Sequence, residues 1–171
     1  MRGEDFRCID GRGRALSDNR AACNPGDRPI RLIRHRHGAW RLRYGPGGLA
    51  QLQALLDEHS FWARGRSPRE LSRMLAGSQA VVSAWQESRL VGFGRATSDG
   101  VFRAALWDVV VASEQQGQGL GRGLVEALLQ APALATVERV YLMTTNSAGF
   151  YEQLDFTAVE SQRLMLRTID R

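Results

Sequence analysis

The sequence contains no lysine: all 23 basic residues among its 171 are arginines. A Walker A loop needs a lysine after its last glycine, so this absence excludes that class of nucleotide-binding loop. No apolar run approaches the roughly 18 residues of a membrane span, and we expect no membrane partner. The N-terminus also lacks the apolar core of a secretory signal, so we expect a cytoplasmic protein.

Cysteine is also scarce, with two residues in the chain. Cys8 and Cys23 both lie within the first 38 residues, and no CxxC spacing is present. The sequence therefore predicts neither a disulfide framework nor a cysteine-based zinc site. His35 and His37 stand among arginines, a pattern more typical of a solvated strand or arm than of a metal site. We expect no metal.

Most of the chain has no excess of positive charge. Residues 1–43 hold 11 arginines against five acidic residues, whereas residues 44–171 hold 12 against 13. A nucleic-acid-binding domain would carry its positive charge on its folded face, so we expect no nucleic-acid partner. Residues 1–38 are rich in Gly, Arg, Asp and Pro without sustained periodicity. They are predicted to form a basic, flexible N-terminal extension ahead of a single domain over residues 39–171.

Hydrophobic periodicity predicts helices and strands in a mixed order. The predicted elements are a strand at 40–44, helices at 48–58 and 67–77, strands at 79–85, 89–97 and 101–112, a helix at 119–131, a strand at 137–143, a short helix at 147–154, and a closing strand pair from 156. This order, β-α-α-β-β-β-α-β-α-β-β, predicts an α/β or α+β fold with helices packed on a mixed sheet.

Four glycines occupy every second position from Gly117 to Gly123, between a strand and a helix. Glycine costs about 0.5–1 kcal/mol relative to alanine inside a helix, so such a row needs a reason. Alternating glycines let the backbone approach a ligand and leave N–H groups at the positive end of the helix dipole, where phosphate binds. The dinucleotide fingerprint G-x-G-x-x-G fails here, because Arg122 or Leu124 stands where its third glycine is required.

Two stretches resemble the GCN5-related N-acetyltransferases, the GNAT family. Gln116-Gly-Gln-Gly-Leu-Gly121 matches the family signature Q/R-x-x-G-x-G/A, and NSAGFYEQLDF, from Asn146, resembles N-x-x-A-x-x-F-Y-x-x-L-G-F with Asp155 in place of glycine. Residues 40–168 are therefore identified as a member of this family. The resemblance implies a largely antiparallel sheet of six to seven strands, splayed at its centre and flanked by about four helices. A homodimer would be unsurprising for such a protein.

The resemblance also implies acetyl-CoA as co-substrate. Backbone N–H groups at the glycine row would hold its pyrophosphate, with added charge from an arginine; the residues concerned are Gln116, Gly117, Gln118, Gly119, Leu120, Gly121 and Arg122. The strand edge at Val109, Val110 and Val111 would pair with the pantetheine amides, which requires this strand to splay from its neighbour. Asn146 would bind near the sulfur or serve as a helix N-cap.

Two residues are candidates for the proton transfers. Tyr151 stands where the family's general-acid tyrosine stands, although a core aromatic residue is the alternative. Asp108 interrupts the apolar run ALWDVVV and is the candidate base for the amine, directly or through water. Burial would raise its pKa. Its alternative role is a strand-end carboxylate paired with Arg95 or Arg103.

Further stretches, FWARGRS, GFGRATSDG and ALWDVVV, resemble a cyanobacterial and plastid branch that includes serotonin, or arylalkylamine, N-acetyltransferases. Phe61, Trp62 and Trp107 are predicted to line an acceptor pocket, with core packing as the alternative. The acceptor implied is a small arylalkylamine such as serotonin or tryptamine. Polyamines, protein lysine or N-terminal amines, and a longer acyl donor are the alternatives. A non-catalytic module that binds acetyl-CoA as a regulator is a rival of another class.

Overall fold

The computed structural model describes residues 5–9, 29–35 and 47–169. Its elements in chain order are β1 (Asp5–Ile9), β2 (Ile30–His35), α1 (Gly48–His59), α2 (Pro68–Ala76), β3 (Ala80–Gln86), β4 (Arg89–Ser98), β5 (Arg103–Val111), α3 (Leu120–Leu129), β6 (Arg139–Tyr141) and α4 (Ala148–Glu152). A short 3₁₀ turn at Ser113–Gln115 leads from β5 towards α3. No helix in this described part has the length and apolarity that a membrane span requires.

The strands of the described residues form one sheet in the order β1-β2-β3-β4-β5-β6. Neighbouring strands run antiparallel from β1 to β5, and β6 pairs with β5 in parallel. Helix α3 makes the crossover that such a parallel pair needs. The predicted fold class, a mixed and largely antiparallel sheet with four flanking helices, is confirmed.

Helix α3 lies close against β4 because two glycines leave room for it. A Cβ added at Gly92 would lie 3.0 Å from Leu124 Cδ1, and one at Gly94 would lie 3.0 Å from Leu128 Cδ1. Both leucines are fully buried in the core. Because the helix body is fixed on the sheet in this way, its first turn is held at the end of β5.

The predicted flexible extension over residues 1–38 is wrong for two segments, since β1 and β2 belong to the sheet. Ile30, Leu32 and Ile33 are buried there, whereas Arg31 between them is exposed. The arginine-rich composition concealed these buried apolar positions, which make the segment part of the core. The predicted strand at residues 40–44 lies outside the described residues.

His35 is part of the core and not of a solvated arm. Its Nε2 lies 2.7 Å from Ser83 Oγ, which also accepts a hydrogen bond of 2.8 Å from Trp85 Nε1. Burial lowers the pKa of His35 to about 4, so the imidazole is neutral at physiological pH. The prediction of a solvated position is therefore wrong for this residue.

The predicted closing strand pair is also wrong, because residues 157–169 contain no strand. Leu164, Met165 and Leu166 are exposed. A strand must pair its backbone groups with a neighbour. The candidate neighbour β6 is only three residues long and offers few positions for such a ladder.

Candidate active site

The start of α3 carries backbone donors that nothing in the helix uses. Gly119 is the N-cap with φ 83°, a left-handed conformation that favours glycine, and no side chain caps the helix. The first hydrogen bond of the helix runs from Gly123 N to Gly119 O at 3.1 Å. The N–H groups of residues 120–122 therefore have no acceptor within the helix and lie at the positive end of its dipole. Such an arrangement binds anions.

The loop before this helix is open to a ligand. Gly117 has φ 73°, and a Cβ built on it would meet no atom within 4 Å. The side chains of Gln116 and Gln118 turn back to the loop, donating to Val111 O at 3.0 Å and to Glu114 O at 3.1 Å. These bonds hold the loop in shape and leave its main chain as the binding surface.

Three other residues predicted to hold the pyrophosphate differ in the groups that they can contribute. Leu120 is buried and can contribute only its backbone. Gly121 serves packing as well, because a Cβ there would lie 3.3 Å from Phe150 Cζ. The guanidinium of Arg122, in the first turn of the helix, is half-exposed; it donates to Gln153 O at 3.2 Å and pairs with Glu126 Oε1 at 3.6 Å.

Strand β5 is paired with β6 over only part of its length. The two strands pair only where Arg103–Ala105 lies beside Arg139–Tyr141. Residues 106–111 of β5 have no strand partner on that side among the described residues, so the predicted splay is confirmed. Val110 has a buried side chain, whereas Val109 and Val111 are half-buried. A peptide-like ligand would pair with the backbone of this edge as an added strand does.

A β-bulge interrupts the pairing of β5 with β4. Phe93 faces Val110 but Arg95 faces Trp107, so Asp108 and Val109 together oppose one residue, Gly94. Asp108 has φ 50°, a conformation that aspartate tolerates better than most residues. Bulges re-aim side chains and are common beside active sites.

A cavity of about 580 Å³ lies beside this bulge. It brings together seven residues that the sequence singled out, namely Phe61, Trp62, Trp107, Asp108, Val109, Asn146 and Tyr151. The cavity is not lined by residues 116–122 or by Val110 and Val111. The predicted site therefore has two parts, the cavity and the start of α3, and β5 joins them.

Phe61 and Trp62 in the cavity are not core residues, whereas Trp107 is half-buried. Phe61 and Trp62 are 66% and 50% exposed and stack edge to face, with ring centroids 5.0 Å apart. Trp107 Nε1 donates to Thr97 Oγ1 at 2.8 Å, and the Arg95 guanidinium lies 5.8 Å from the Trp107 ring. Large apolar side chains exposed together are typical of a binding surface.

Asp108 forms a buried ion-pair cluster. Its side chain is 5% exposed, and Oδ2 accepts from Arg95 Nε at 2.7 Å and pairs with Arg66 Nη1 at 3.1 Å. The alternative role as a paired carboxylate is confirmed for Arg95, whereas Arg103 pairs with Glu138 at 2.9 Å. Burial raises the pKa of Asp108, but the two arginines outweigh burial and hold this pKa below its usual value. The predicted rise in pKa is therefore wrong.

Arg66 was not predicted from the sequence. It lies in the loop between α1 and α2, far in sequence from Asp108. One signal was available: a carboxylate inside an apolar strand needs a cation, and in this sequence that cation has to be an arginine or a histidine. Nothing in the sequence indicated that two arginines would meet one aspartate.

Tyr151 is half-buried between aromatic rings, with centroids 4.9 Å from Phe150 and 5.8 Å from Phe156. Burial raises the pKa of Tyr151, so the phenol keeps its proton at neutral pH. Its hydroxyl forms no hydrogen bond with the residues that the structure describes. Asn146 is exposed, and Ser147 is the N-cap of α4, so the alternative role of Asn146 as N-cap is wrong.

Comparisons with known proteins agree with this geometry. The model of the acetyltransferase (GNAT) family matches residues 49–156. The chain is 38% identical over 99 residues to serotonin N-acetyltransferase 2, chloroplastic, from Oryza sativa subsp. japonica, covering 53% of this chain and 48% of that protein. It is 35% identical over 119 residues to histone acetyltransferase TAP1 from Glycine max, covering 63% and 51%.

The same architecture occurs in a solved structure. The GNAT family acetyltransferase SP0256 from Streptococcus pneumoniae superposes with a TM-score of 0.65 and 20% identity, covering 83% of this chain and 98% of that one. The chain spans about half the length of the two curated relatives. The family model covers more than half of the chain, and this protein belongs to the GNAT family of acetyltransferases.

Proposed function

We propose that the protein is an acetyl-CoA-dependent N-acetyltransferase acting on a small primary amine. One observation carries the proposal: the N–H groups of residues 120–122, which have no acceptor within α3, lie one short loop after the unpaired edge of β5, and that strand also lines the cavity. Acetyl-CoA has a diphosphate, two pantetheine amides and a thioester. The described residues offer each of them a chemically suited partner.

The chain's own residues divide the binding work. The backbone of residues 117–122 would hold the diphosphate, and the charge of Arg122 adds to it. The main chain of Val109–Val111 would pair with the pantetheine amides, and Asn146 would contact the acyl end. Acetyl-CoA supplies the activated acetyl group, and the transfer is direct to the amine in a ternary complex.

Tyr151 is the proposed general acid. The pKa of its phenol is raised by burial, so Oη carries a proton across the physiological range. That proton would go to the departing sulfur, since Tyr151 lines the same cavity as the bulge of β5. Its contacts with Phe150 and Phe156 fix the ring and leave the hydroxyl available.

The amine must lose its proton before it can attack. The cluster of Arg66, Arg95 and Asp108 has one positive charge in excess, and nearby positive charge lowers the pKa of an amine. We therefore assign Asp108 to holding the two arginines, with water taking the proton. A carboxylate with a lowered pKa and both cations on one oxygen is a weak base.

The proposed acceptor is an aromatic or arylalkyl amine such as serotonin or tryptamine. The exposed pair of Phe61 and Trp62, with Trp107 next to the bulge on β5, supports this choice. The similarity to the rice serotonin N-acetyltransferase supports it as well. Excess positive charge in the cavity disfavours polyamines. The relative named a histone acetyltransferase makes a protein lysine the second candidate.

Release of free thiol from acetyl-CoA tests the proposal. The acceptors compared are tryptamine, serotonin, spermidine and a lysine peptide, ranked by kcat/KM. We expect turnover with the two indole amines and much less with spermidine. Acetyl-CoA binding without thiol release for any amine would instead support the regulatory module. A lysine peptide as best acceptor would replace the small-molecule assignment.

A further inference from the structure

Arg66 and Arg95 have more hydrogen-bonding capacity than Asp108 uses. Arg95 donates through Nε to Oδ2, and its Nη groups donate to no other atom of the described residues. Arg66 Nη1 serves both Asp108 and Met74 Sδ, the latter at 3.5 Å. The side chain of Arg95 is partly exposed, and no buried side-chain nitrogen in the described part is without a partner.

These spare donors belong to the cavity. Arg66 and Arg95 both line it, with side chains 31% and 15% exposed, and Asp108 is the only acidic residue among the described lining residues. Charge-assisted hydrogen bonds are strongest in such partly desolvated places. A second carboxylate would therefore meet one net positive charge and several aligned donors.

We propose that Arg66 and Arg95 form a subsite for an anionic group on the acceptor, and that the preferred acceptor is a small aromatic amine bearing a carboxylate. Calling the bound amine an acceptor rests on the proposed acetyl transfer. The Arg95 guanidinium lies 5.8 Å from the ring of Trp107, which places an anion subsite beside an aromatic surface. A bare ammonium gains nothing from this subsite, because its charge has the same sign.

Arg66 is the specificity-determining residue in this proposal. It is the more exposed of the two arginines and comes from a loop, whereas Arg95 is fixed in β4. The guanidinium of Arg66 would donate to the incoming carboxylate while it remains paired with Asp108. The two oxygens of a carboxylate can accept hydrogen bonds from the planar guanidinium side by side, which the compact ammonium of a lysine does not allow.

Calorimetry with unreactive ligands tests the subsite separately from catalysis. Indole-3-propionate and indole-3-propionamide have the same ring and chain and differ in the charge of the terminal group. We expect the carboxylate to bind about tenfold more tightly at low ionic strength, with the ratio falling as salt rises. Equal affinities would overturn the proposal.

Two substitutions assign the effect to Arg66. Arg66→Gln should bring the ratio of the two affinities close to one, and Arg66→Lys should leave an intermediate ratio because charge is kept without the planar fork. Arg69→Gln is the matched control, since it makes the same charge change at an exposed position of α2 outside the cavity. An unchanged ratio in both Arg66 variants would overturn the assignment. Circular dichroism checks that each variant is folded.

Acetylation assays separate the inference from the proposed function. L-tryptophan and L-tryptophanamide are compared by kcat/KM per unit of unprotonated amine, and tryptophan should be favoured. Acetylation of tryptamine with no preference for tryptophan over its amide would defeat the subsite alone. Tighter binding of the carboxylate with no thiol release from any amine would defeat the proposed function and leave the anion subsite standing.

Discussion

We propose that the start of α3 and the cavity beside β5 both bind negatively charged groups, but the donors at the two places are of different kinds. At α3 the donors are main-chain N–H groups, held by the left-handed Gly119 and by the helix itself. In the cavity the donors are the side chains of Arg66 and Arg95, held by one buried carboxylate. The first site depends on backbone conformation, whereas the second depends on three side chains from separate elements.

This difference has consequences for how each site responds to change. A main-chain site is insensitive to most side-chain substitutions but is destroyed where a Cβ cannot be accommodated. A side-chain cluster is sensitive to the loss of any one charge, because the remaining charges are left unpaired. Substitutions at the two sites should therefore separate cofactor affinity from stability and acceptor choice.

The largest effect is expected from Gly119→Glu. The change forces an L-residue into φ 83° and puts a negative charge where the diphosphate would bind, so acetyl-CoA affinity should fall at least about 100-fold. Calorimetric titration measures the loss. Gly100→Glu is the control, because Gly100 has φ 79° in an exposed turn with open space around it. Normal affinity in the Gly119 variant would contradict the main-chain site.

Tyr151→Phe should lower kcat about 100-fold with little change in acetyl-CoA affinity, because only the proton donor is lost. Because burial raises the pKa of Tyr151, the parent enzyme should keep its activity up to the ordinary tyrosine pKa of about 10. Steady-state kinetics across pH measure both effects. Tyr141→Phe, outside the cavity lining, serves as control. An unchanged kcat would remove Tyr151 from the chemistry.

Asp108→Asn should lower the free energy of unfolding by about 2 kcal/mol, since two partly buried arginines lose their shared partner. Urea denaturation measures this change. Glu138→Gln removes the exposed partner of Arg103 and should cost less than about 1 kcal/mol. Equal effects would contradict the structural role of the buried cluster.

The same Asp108 variant also tests the assignment of the base. Because its pKa is lowered, Asp108 is ionised at any pH above the ordinary aspartate pKa of about 4. The group therefore does not titrate in the pH range of the assay. The ratio of mutant to parent rate should then be flat between about pH 6 and pH 9. A ratio that falls towards low pH would restore Asp108 as general base.

Gln118→Ala should have the smallest effect, with acetyl-CoA affinity changing less than about threefold. Its side chain is bound to Glu114 O, and the donors proposed for the diphosphate are main-chain groups. Calorimetry under the conditions used for Gly119→Glu gives the comparison directly. A loss as large as that of the glycine variant would show that a side chain, and not the backbone, holds the ligand.

The two regions also differ in how far the sequence predicts them. The glycine row and the segment around Tyr151 are local patterns whose spacing indicates a helix start and a short helix, and the structure has both helices. Arg66 and Asp108 are 42 positions apart, and their contact depends on how a loop and a bulged strand meet. Local periodicity carries no information about such a contact. The pKa of Asp108 was mispredicted for this reason.

The ends of the sheet show the same limit. The strand at Ile30–His35 was hidden by its arginines, although four of its six residues are buried. The closing strand pair had suitable residues, but the described part of the chain gives it no strand partner. A strand depends on its neighbour as much as on its own residues, so both errors concern pairing.

Amide NMR during titration with acetyl-CoA tests the central claim most directly. The account predicts that the backbone N–H signals of residues 117–122 shift strongly and saturate with the ligand, while that of Gly100, a left-handed glycine in an exposed turn outside the cavity, stays in place. Saturable binding that leaves the signals of residues 117–122 unmoved would contradict the main-chain anion site and the acetyl-CoA-dependent function that rests on it.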